Sequence, residues 1–201
     1  MSSDEKQQQY HHGNLREALL EMAVLHLRDE GHEKLSLRAI ARDLGVSQTA
    51  PYRHFDDKNA LLAALAAAGF AELAAKTATA AKKHPADAAA ALQACGVAYV
   101  RFARANPEKY LLMFGPGIVE RQRYVELVEN SDAAFRVLLE VIEQAQREGL
   151  FSGKPTHMVA NAAWALVHGL STLLIGHLQW IMSEREVERQ IAVATGMLVD
   201  R

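Results

Sequence analysis

Residues 36–54 carry the pattern that most limits how this chain can fold. Ser36 can cap a short helix over residues 37–44, and Gly45 can then adopt the left-handed conformation of a sharp turn. Ser47 can cap a second helix, which we expect over residues 48–54. The apolar residues of the first helix recur at helical spacing: Leu37, Ile40, Ala41 and Leu44. Two helices joined by so short a turn form a helix-turn-helix, whose second helix fits the major groove of DNA.

The polar side chains that follow the turn favour a nucleic-acid interface over an ordinary helical hairpin. Six of them can donate hydrogen bonds to phosphates or base edges: Gln48, Thr49, Tyr52, Arg53, His54 and Lys58. Charge adds less support, because five basic and three acidic residues between Lys34 and Lys58 leave an excess of only +2. Two packed helices without nucleic acid remain the alternative interpretation of the pattern.

The string SLRAIARDLGVS, followed by YRHF, DDK and ALL, resembles the DNA-binding domain of the TetR (tetracycline-repressor-like) family of bacterial transcriptional regulators. The resemblance covers about the first sixty residues and, through the order of helices, the plan of the rest. It implies phosphate contacts from Ser36, Arg38, Tyr52, His54 and Lys58, and base contacts from Gln48, Thr49 and Arg53. One position departs from the family: Pro51 replaces a branched aliphatic residue and removes a backbone donor from the first helical turn.

Composition favours an all-α fold, since alanine and leucine dominate and the 201 residues include only 12 glycines and 5 prolines. No period-two run predicts a strand. We expect about nine helices, with an N-terminal three-helix DNA-binding domain that contains the helix-turn-helix. The expected domains are a flexible arm (1–13), the helix-turn-helix domain (14–60) and a helical ligand-binding and dimerisation domain (61–201).

Cysteine content and hydropathy predict a cytoplasmic protein that does not enter a membrane, and the family resemblance implies that it is associated with the nucleoid. The single Cys95 excludes an internal disulfide, and the amino-terminal residues lack the apolar stretch of a signal peptide. Polar residues interrupt the most apolar stretch, 158–182, so we expect it to form a buried core helix. We expect no cofactor and no metal site.

One face of this long helix has the spacing of a seam between two helices. Its residues are Ala162, Leu166, Gly169, Leu173, Gly176 and Trp180. The partner helix could belong to the same subunit or to a second copy. The resemblance implies a homodimer, paired through its last helices on a near-palindromic double-stranded DNA operator. Trp164, His168 and Gly169 also resemble the signature of a TetR subgroup with a Trp-His-Gly type C-terminal domain.

Opposite this seam, aromatic, amide and imidazole groups share a stripe. They could satisfy one another inside the core, or they could orient a small molecule. The family's ligand cavity lies in this region, so the resemblance implies a small hydrophobic or amphipathic effector. The predicted pocket residues are Phe70, Tyr99, Phe102, Tyr110, Met113, Phe114, Asn161, Trp164 and His168.

The expected function is therefore a ligand-responsive repressor that a small molecule releases from DNA. A DNA-bound adaptor that recruits another protein is the first alternative. An enzyme is the second, with Cys95 as nucleophile or with a metal held by some of the nine histidines. The sequence argues against catalysis, because no acidic residue stands at metal-ligand spacing to His168 or His177.

Overall fold

The computed structural model describes residues 15–176 and 183–199, which form eight α-helices, two short 3₁₀ helices and no strand. The α-helices are α1 (Leu15–Lys34), α2 (Leu37–Asp43), α3 (Lys58–Ala81), α4 (Ala88–Ala105), α5 (Pro107–Phe114), α6 (Val125–Arg147), α7 (Thr156–Ile175) and α8 (Glu184–Val199). The 3₁₀ helices are Pro51–Arg53 and Arg121–Arg123. The predicted all-α class is confirmed, whereas the expected arm over residues 1–13 and the predicted seam residue Trp180 lie outside the described residues.

The chain divides into two compact units, and neither is contiguous in sequence. Unit 1 comprises Met1–Gly69 and Glu108–Val128, and unit 2 comprises Phe70–Pro107 and Glu129–Arg201. The observed division follows Gly69, nine residues after the expected one at residue 60, and both positions lie inside α3. Helix α5 groups with the helix-turn-helix. Helix patterns in a sequence locate the ends of helices, but they carry no information on which distant helices pack together.

Unit 1 is held by the apolar faces of its first three helices. Leu19 of α1, Ile40 of α2 and Leu61 of α3 are fully buried. Gly31 kinks α1 near its end, with φ 76° and ψ 168°. Gly45 adopts the predicted left-handed conformation, with φ 68°, and ends α2 sharply. These residues fix the position of the segment that follows the turn.

In unit 2, α4 packs against both α7 and α8. One cluster joins α4, α6 and α7 through Leu92, Ile142 and Ala160. Gly96 permits the close approach of α8, since a Cβ atom there would lie 2.9 Å from Cγ2 of Ile191. The unit therefore depends on a small residue at its central helix crossing.

The expectation that α7 is a buried core helix was wrong for one of its two faces. Val159, Ala163 and Leu170 are buried, whereas Leu166 and Leu173 are 41% and 37% exposed. A periodic pattern identifies an apolar face but does not show whether a neighbouring helix covers it. Both α3 and α7 are long and apolar enough to cross a membrane by length and composition alone, a test that core helices of soluble proteins also pass.

Candidate nucleic-acid interface

The recognition segment, residues 48–54, is shorter in its helical part than the sequence predicts. Only Pro51–Arg53 is helical, and it forms a single 3₁₀ turn. The backbone N–H of Ala50 donates to the Ser47 carbonyl at 2.9 Å, a bond of 3₁₀ type. Pro51 has no N–H and cannot donate to that carbonyl, as a continuous α-helix would require. The prediction of a helix over residues 48–54 was therefore wrong in extent, and Pro51 is the physical reason.

Two buried side chains anchor this segment to unit 1 while its polar side chains face solvent. Pro51 is buried and Phe55 is 4% exposed, with the Arg16 guanidinium 5.6 Å from the Phe55 ring centroid. Tyr52, by contrast, is 45% exposed. Six of the eight residues predicted to contact DNA are exposed, and Ser36 and Lys58 are half-buried; the exposed six are Arg38, Gln48, Thr49, Tyr52, Arg53 and His54.

Of the two predicted caps, only Ser36 is present in position; the prediction for Ser47 was wrong, because the N-cap residue of the 3₁₀ helix is Ala50. Ser36 is the N-cap residue of α2 and has extended backbone angles, yet its side chain makes no capping hydrogen bond. The Ser47 hydroxyl, just before the recognition segment, lies 3.2 Å from the Thr49 hydroxyl. Asp57, in contrast, caps α3, because its carboxylate accepts a 2.7 Å hydrogen bond from the Ala60 N–H.

Lys58 joins the first turn of α3 to the end of α1. Its Nζ donates a 2.6 Å hydrogen bond to the backbone carbonyl of Glu33, just beyond the kink at Gly31. The side chain remains half-buried. The carbonyl end of a helix attracts a cation, so this contact holds the ammonium at the edge of the exposed surface.

A polar contact that supports α2 joins it to α1. Nε2 of His26 lies 2.8 Å from Oδ2 of Asp43, and the Arg42 guanidinium also donates to the Asp43 carboxylate, at 3.3 Å. The His26 side chain is mostly buried, whereas Arg42 is largely exposed. The pair fixes the end of α2 beside the turn that presents the recognition segment.

Asn59 is a residue of this surface that the sequence analysis missed. Its amide bonds the backbone of Val119 through both atoms, since Nδ2 donates to the carbonyl at 2.9 Å and Oδ1 accepts from the N–H at 3.0 Å. Nδ2 also donates to the Tyr124 hydroxyl at 2.7 Å. The partners lie in residues 115–124, which we call the strap. No local pattern in the sequence could have paired residues sixty or more positions apart.

Unit 2 contains a small polar cluster formed by three of the predicted pocket residues. The Tyr99 hydroxyl lies 3.0 Å from Nδ1 of His168 and accepts a 3.2 Å hydrogen bond from the Trp164 indole N–H. Phe135 lies edge-on to Trp164, with ring centroids 6.2 Å apart. Burial lowers the pKa of His168. An imidazole so placed is neutral near pH 7.

The structure does not bring all nine predicted pocket residues into one compact unit. Tyr110, Met113 and Phe114 belong to α5 and therefore to unit 1, where the rings of Tyr110 and Phe114 have centroids 4.9 Å apart. Asn161 is exposed on α7. Phe70 and Phe102 are buried residues of unit 2, together with the polar cluster.

The predicted seam on α7 lies on its exposed face. Five of its six residues are described, and none of the five is buried: Ala162, Leu166, Gly169, Leu173 and Gly176. Among the described atoms, nothing lies within 4 Å of a Cβ built on Gly169. On α8, Val193 is also an exposed apolar residue, at 53%. Exposed apolar residues that recur along one face of a helix are typical of an interaction site.

Cys95 lacks the properties of a catalytic nucleophile. Its thiol is buried and donates a 3.4 Å hydrogen bond to the carbonyl of Thr77. Burial raises the pKa of the Cys95 thiol to about 12, so the reactive thiolate is scarce at neutral pH. Within residues 15–176 and 183–199, no group of three or more His, Cys, Asp or Glu side chains could hold a metal ion.

Comparison with known proteins identifies relatives of both parts of the chain. Residues 19–65 match the family model described as bacterial regulatory proteins, tetR family, and residues 92–194 match the model described as tetracyclin repressor-like, C-terminal domain. The tetracycline repressor protein class C of Escherichia coli is 51% identical over 53 residues, or 26% of this chain. The match spans only 24% of the length of that curated relative.

Solved structures extend the similarity to nearly the whole chain. A protein of unknown function from Rhodococcus sp. RHA1 is 34% identical, with a TM-score of 0.81, over 95% of this chain and 98% of that one. The TetR family transcriptional regulator PfmR from Thermus thermophilus is 18% identical, with a TM-score of 0.67, over 91% and 99%. The latter likeness concerns the fold alone. Because the C-terminal family model spans about half of the chain and the N-terminal model spans the helix-turn-helix, this chain belongs to the TetR family of bacterial regulatory proteins.

Proposed function

We propose that the protein is a transcriptional repressor in the bacterial cytoplasm, associated with the nucleoid. It binds a near-palindromic DNA operator as a homodimer and is released by a small hydrophobic or amphipathic effector. One observation carries the proposal: the recognition segment exposes its polar side chains while buried Pro51 and Phe55 hold it to unit 1. Hydrogen-bond donors held in fixed positions suit the regularly spaced phosphates and base edges of duplex DNA.

The contacts of this surface divide by chemistry. Tyr52, His54 and Lys58 bind phosphates, supported by Arg38 and Ser36 at the start of α2. The bases are contacted by the side chains around the tight turn at Pro51: Gln48, Thr49 and Arg53. Arg53 is the principal base-reading residue, because a guanidinium can donate two parallel hydrogen bonds to guanine.

Homodimer formation is supported by the exposed apolar face of α7. A single exposed leucine is ordinary on a protein surface, but Leu166 and Leu173 flank Gly169 on one face. The glycine allows a second helix to approach closely, and Val193 of α8 adds apolar surface. A two-fold pair of such faces presents two recognition segments to DNA half-sites about one helical turn apart.

The effector site is built around the polar cluster of Tyr99, Trp164 and His168. A neutral imidazole beside a phenol and an indole offers hydrogen bonds without charge, which favours an uncharged polar group on an apolar effector. Trp164, His168 and Gly169 also support assignment to the subgroup with a Trp-His-Gly type C-terminal domain. An effector that binds the DNA-free state more tightly lowers operator affinity.

A binding assay on the DNA upstream of the protein's own coding sequence tests the proposal. We expect the wild type to bind a labelled duplex of this DNA by fluorescence anisotropy, as two chains per site. Arg53→Ala should weaken binding by about 10- to 100-fold, because it removes a base contact. Arg136→Ala, which changes an arginine of α6 in unit 2, is the matched control and should bind as the wild type does.

Two results would contradict the proposal. Absence of specific binding by the wild type, or equal losses in Arg53→Ala and Arg136→Ala, would refute the assignment of the recognition segment. Binding that no metabolite extract releases would instead favour the adaptor.

A further inference from the structure

The strap brings a distant part of the chain to the first turn of α3. Four contacts tie residues 115–126 to the helix-turn-helix unit. Two of them are the hydrogen bonds from Asn59 to Val119 and to Tyr124. In the third, Gly117 lies so close to α1 that a Cβ atom on it would be 2.9 Å from the His32 ring. Arg16 of α1 forms a 3.1 Å ion pair with Glu126. All four contacts depend on named side chains of α1 and α3, and three of them reach the strap, which is therefore an integral part of unit 1.

The Asn59 amide is the most specific of these contacts. It uses its oxygen as acceptor and its nitrogen as donor to the same residue, Val119, and a second donor bond reaches Tyr124. Two antiparallel bonds to one residue fix the direction of the backbone as well as its distance. No aliphatic or acidic side chain can reproduce this set, because neither supplies both the donor and the acceptor.

The clamped backbone is itself held in an uncommon conformation. Glu120, directly after Val119, has left-handed angles, with φ 50° and ψ 49°. A residue with a side chain adopts this conformation only when its surroundings hold it there. On the far side of this turn, Arg121 donates a 2.7 Å hydrogen bond to the carbonyl of Met113. The clamp and this bond together hold the strap in one shape.

Asn59 also adjoins the lysine to which we assign a phosphate contact. The first turn of α3 is held on one side by the clamp, and on the other by the bond from Lys58 to Glu33. We propose that the Asn59 clamp is a positioning device for DNA binding: it sets the first turn of α3 so that Lys58 reaches a phosphate. This inference rests on the proposed function, and Asn59 itself does not touch DNA.

Salt dependence of DNA binding separates positioning of Lys58 from general stabilisation. Each phosphate contact that is lost lowers the slope of log affinity against log salt by about one unit per subunit. We expect Lys58→Ala to lower the slope by that amount and to weaken binding about tenfold. Asn59→Ala should lower the slope in the same way. In the double variant, Asn59→Ala should weaken binding by less than about twofold beyond Lys58→Ala.

The probe is the fluorescein-labelled duplex of the upstream DNA, with the full-length protein throughout. Asn106→Ala is the matched control, because it removes an amide that donates to a backbone carbonyl, that of Phe102, within unit 2. This control should keep the wild-type slope. Tyr124→Phe keeps the clamp on Val119 and removes only one of the three bonds, so it provides a milder variant if Asn59→Ala fails to fold. It should weaken binding by about threefold in the wild type and not at all in Lys58→Ala.

The outcomes are distinct. A wild-type slope in Asn59→Ala, or losses that multiply with those of Lys58→Ala, would overturn the clamp while leaving the repressor assignment intact. A Tyr124→Phe loss of equal size in both backgrounds would do the same. Failure of the wild type to bind the duplex would overturn the proposed function, and the inference with it.

Discussion

The recognition segment and α7 distribute their side chains in opposite ways. Pro51 of the recognition segment and Phe55 directly after it are buried, whereas the hydrogen-bonding groups of the segment are exposed. On α7, the polar residues Trp164 and His168 that contact Tyr99 are half-buried, whereas Leu166 and Leu173 are exposed. Exposed donors suit a highly charged partner, and exposed apolar groups suit a protein surface. The chain therefore exposes two surfaces of different chemistry, a polar one on the recognition segment and an apolar one on α7.

Replacing an exposed apolar residue of α7 with a charged one should give the largest effect. We expect Leu166→Asp to abolish the homodimer, because two carboxylates would be buried in the pair. Operator affinity should fall by at least about 100-fold, since one recognition segment alone makes half of the contacts. Light scattering during size-exclusion chromatography measures the mass, and anisotropy measures the affinity.

Leu25→Asp provides the control for that experiment. Leu25 is 49% exposed on α1, so the same change there tests an exposed leucine outside the proposed interface. It should leave the mass at that of the dimer. A Leu166→Asp variant that remains dimeric would show that this face of α7 is not the interface.

Removing the Tyr99 hydroxyl, which contacts both Trp164 and His168, should have a smaller effect. Tyr99→Phe deletes the hydroxyl that accepts from Trp164 and lies at hydrogen-bond distance from His168. We expect a loss of about 1–3 kcal/mol in the free energy of unfolding, because the half-buried polar groups of Trp164 and His168 each lose a partner. Urea unfolding followed by far-ultraviolet circular dichroism measures it.

Tyr52→Phe is the same change at an exposed tyrosine, in the recognition segment. Its hydroxyl can be satisfied by water, so stability should change by less than about 0.5 kcal/mol. Equal destabilisation by the two Tyr→Phe changes would remove the distinction between the two regions.

The smallest expected effect is a pH dependence from His168. Burial lowers the pKa of this imidazole, so the unfolded chain binds more protons than the folded chain below about pH 6.5. Stability should therefore decrease as the pH falls from about 7.5 to about 5.5. His168→Gln should lose less stability over this range than the wild type does. Urea titrations at the two pH values measure the difference, and parallel curves for the two proteins would contradict the assignment.

Much of unit 1 could be predicted from the sequence because its determinants are local. The turn at Gly45 follows from the backbone freedom of glycine, and the start of α3 follows from the capping side chain of Asp57. Pro51 was visible in the sequence as a missing donor, but the reduction of the helix to one 3₁₀ turn depends on bonds that form around it. The family resemblance describes relatives with an aliphatic residue at that position.

The remaining features depend on tertiary packing. The spacing along α7 located its apolar face, yet only the packing of its neighbours shows that Leu166 stays exposed. Tyr110 was predicted to line the ligand pocket, and its residue type carries no information that it belongs to unit 1. The bonds from Asn59 to Val119 join residues sixty positions apart, which no periodicity connects. These are the features that distinguish this chain from a general description of its family.

The discontinuous composition of unit 1 limits how this protein can be recombined with its relatives. A chimera that takes only the first sixty residues would separate Asn59 from Val119 and Tyr124, and Arg16 from Glu126. The transplanted helix-turn-helix would then lie against the corresponding loop of the relative instead of its own strap. Grafts that also carry residues 108–128 retain these contacts, so the exchangeable module is two chain segments rather than one.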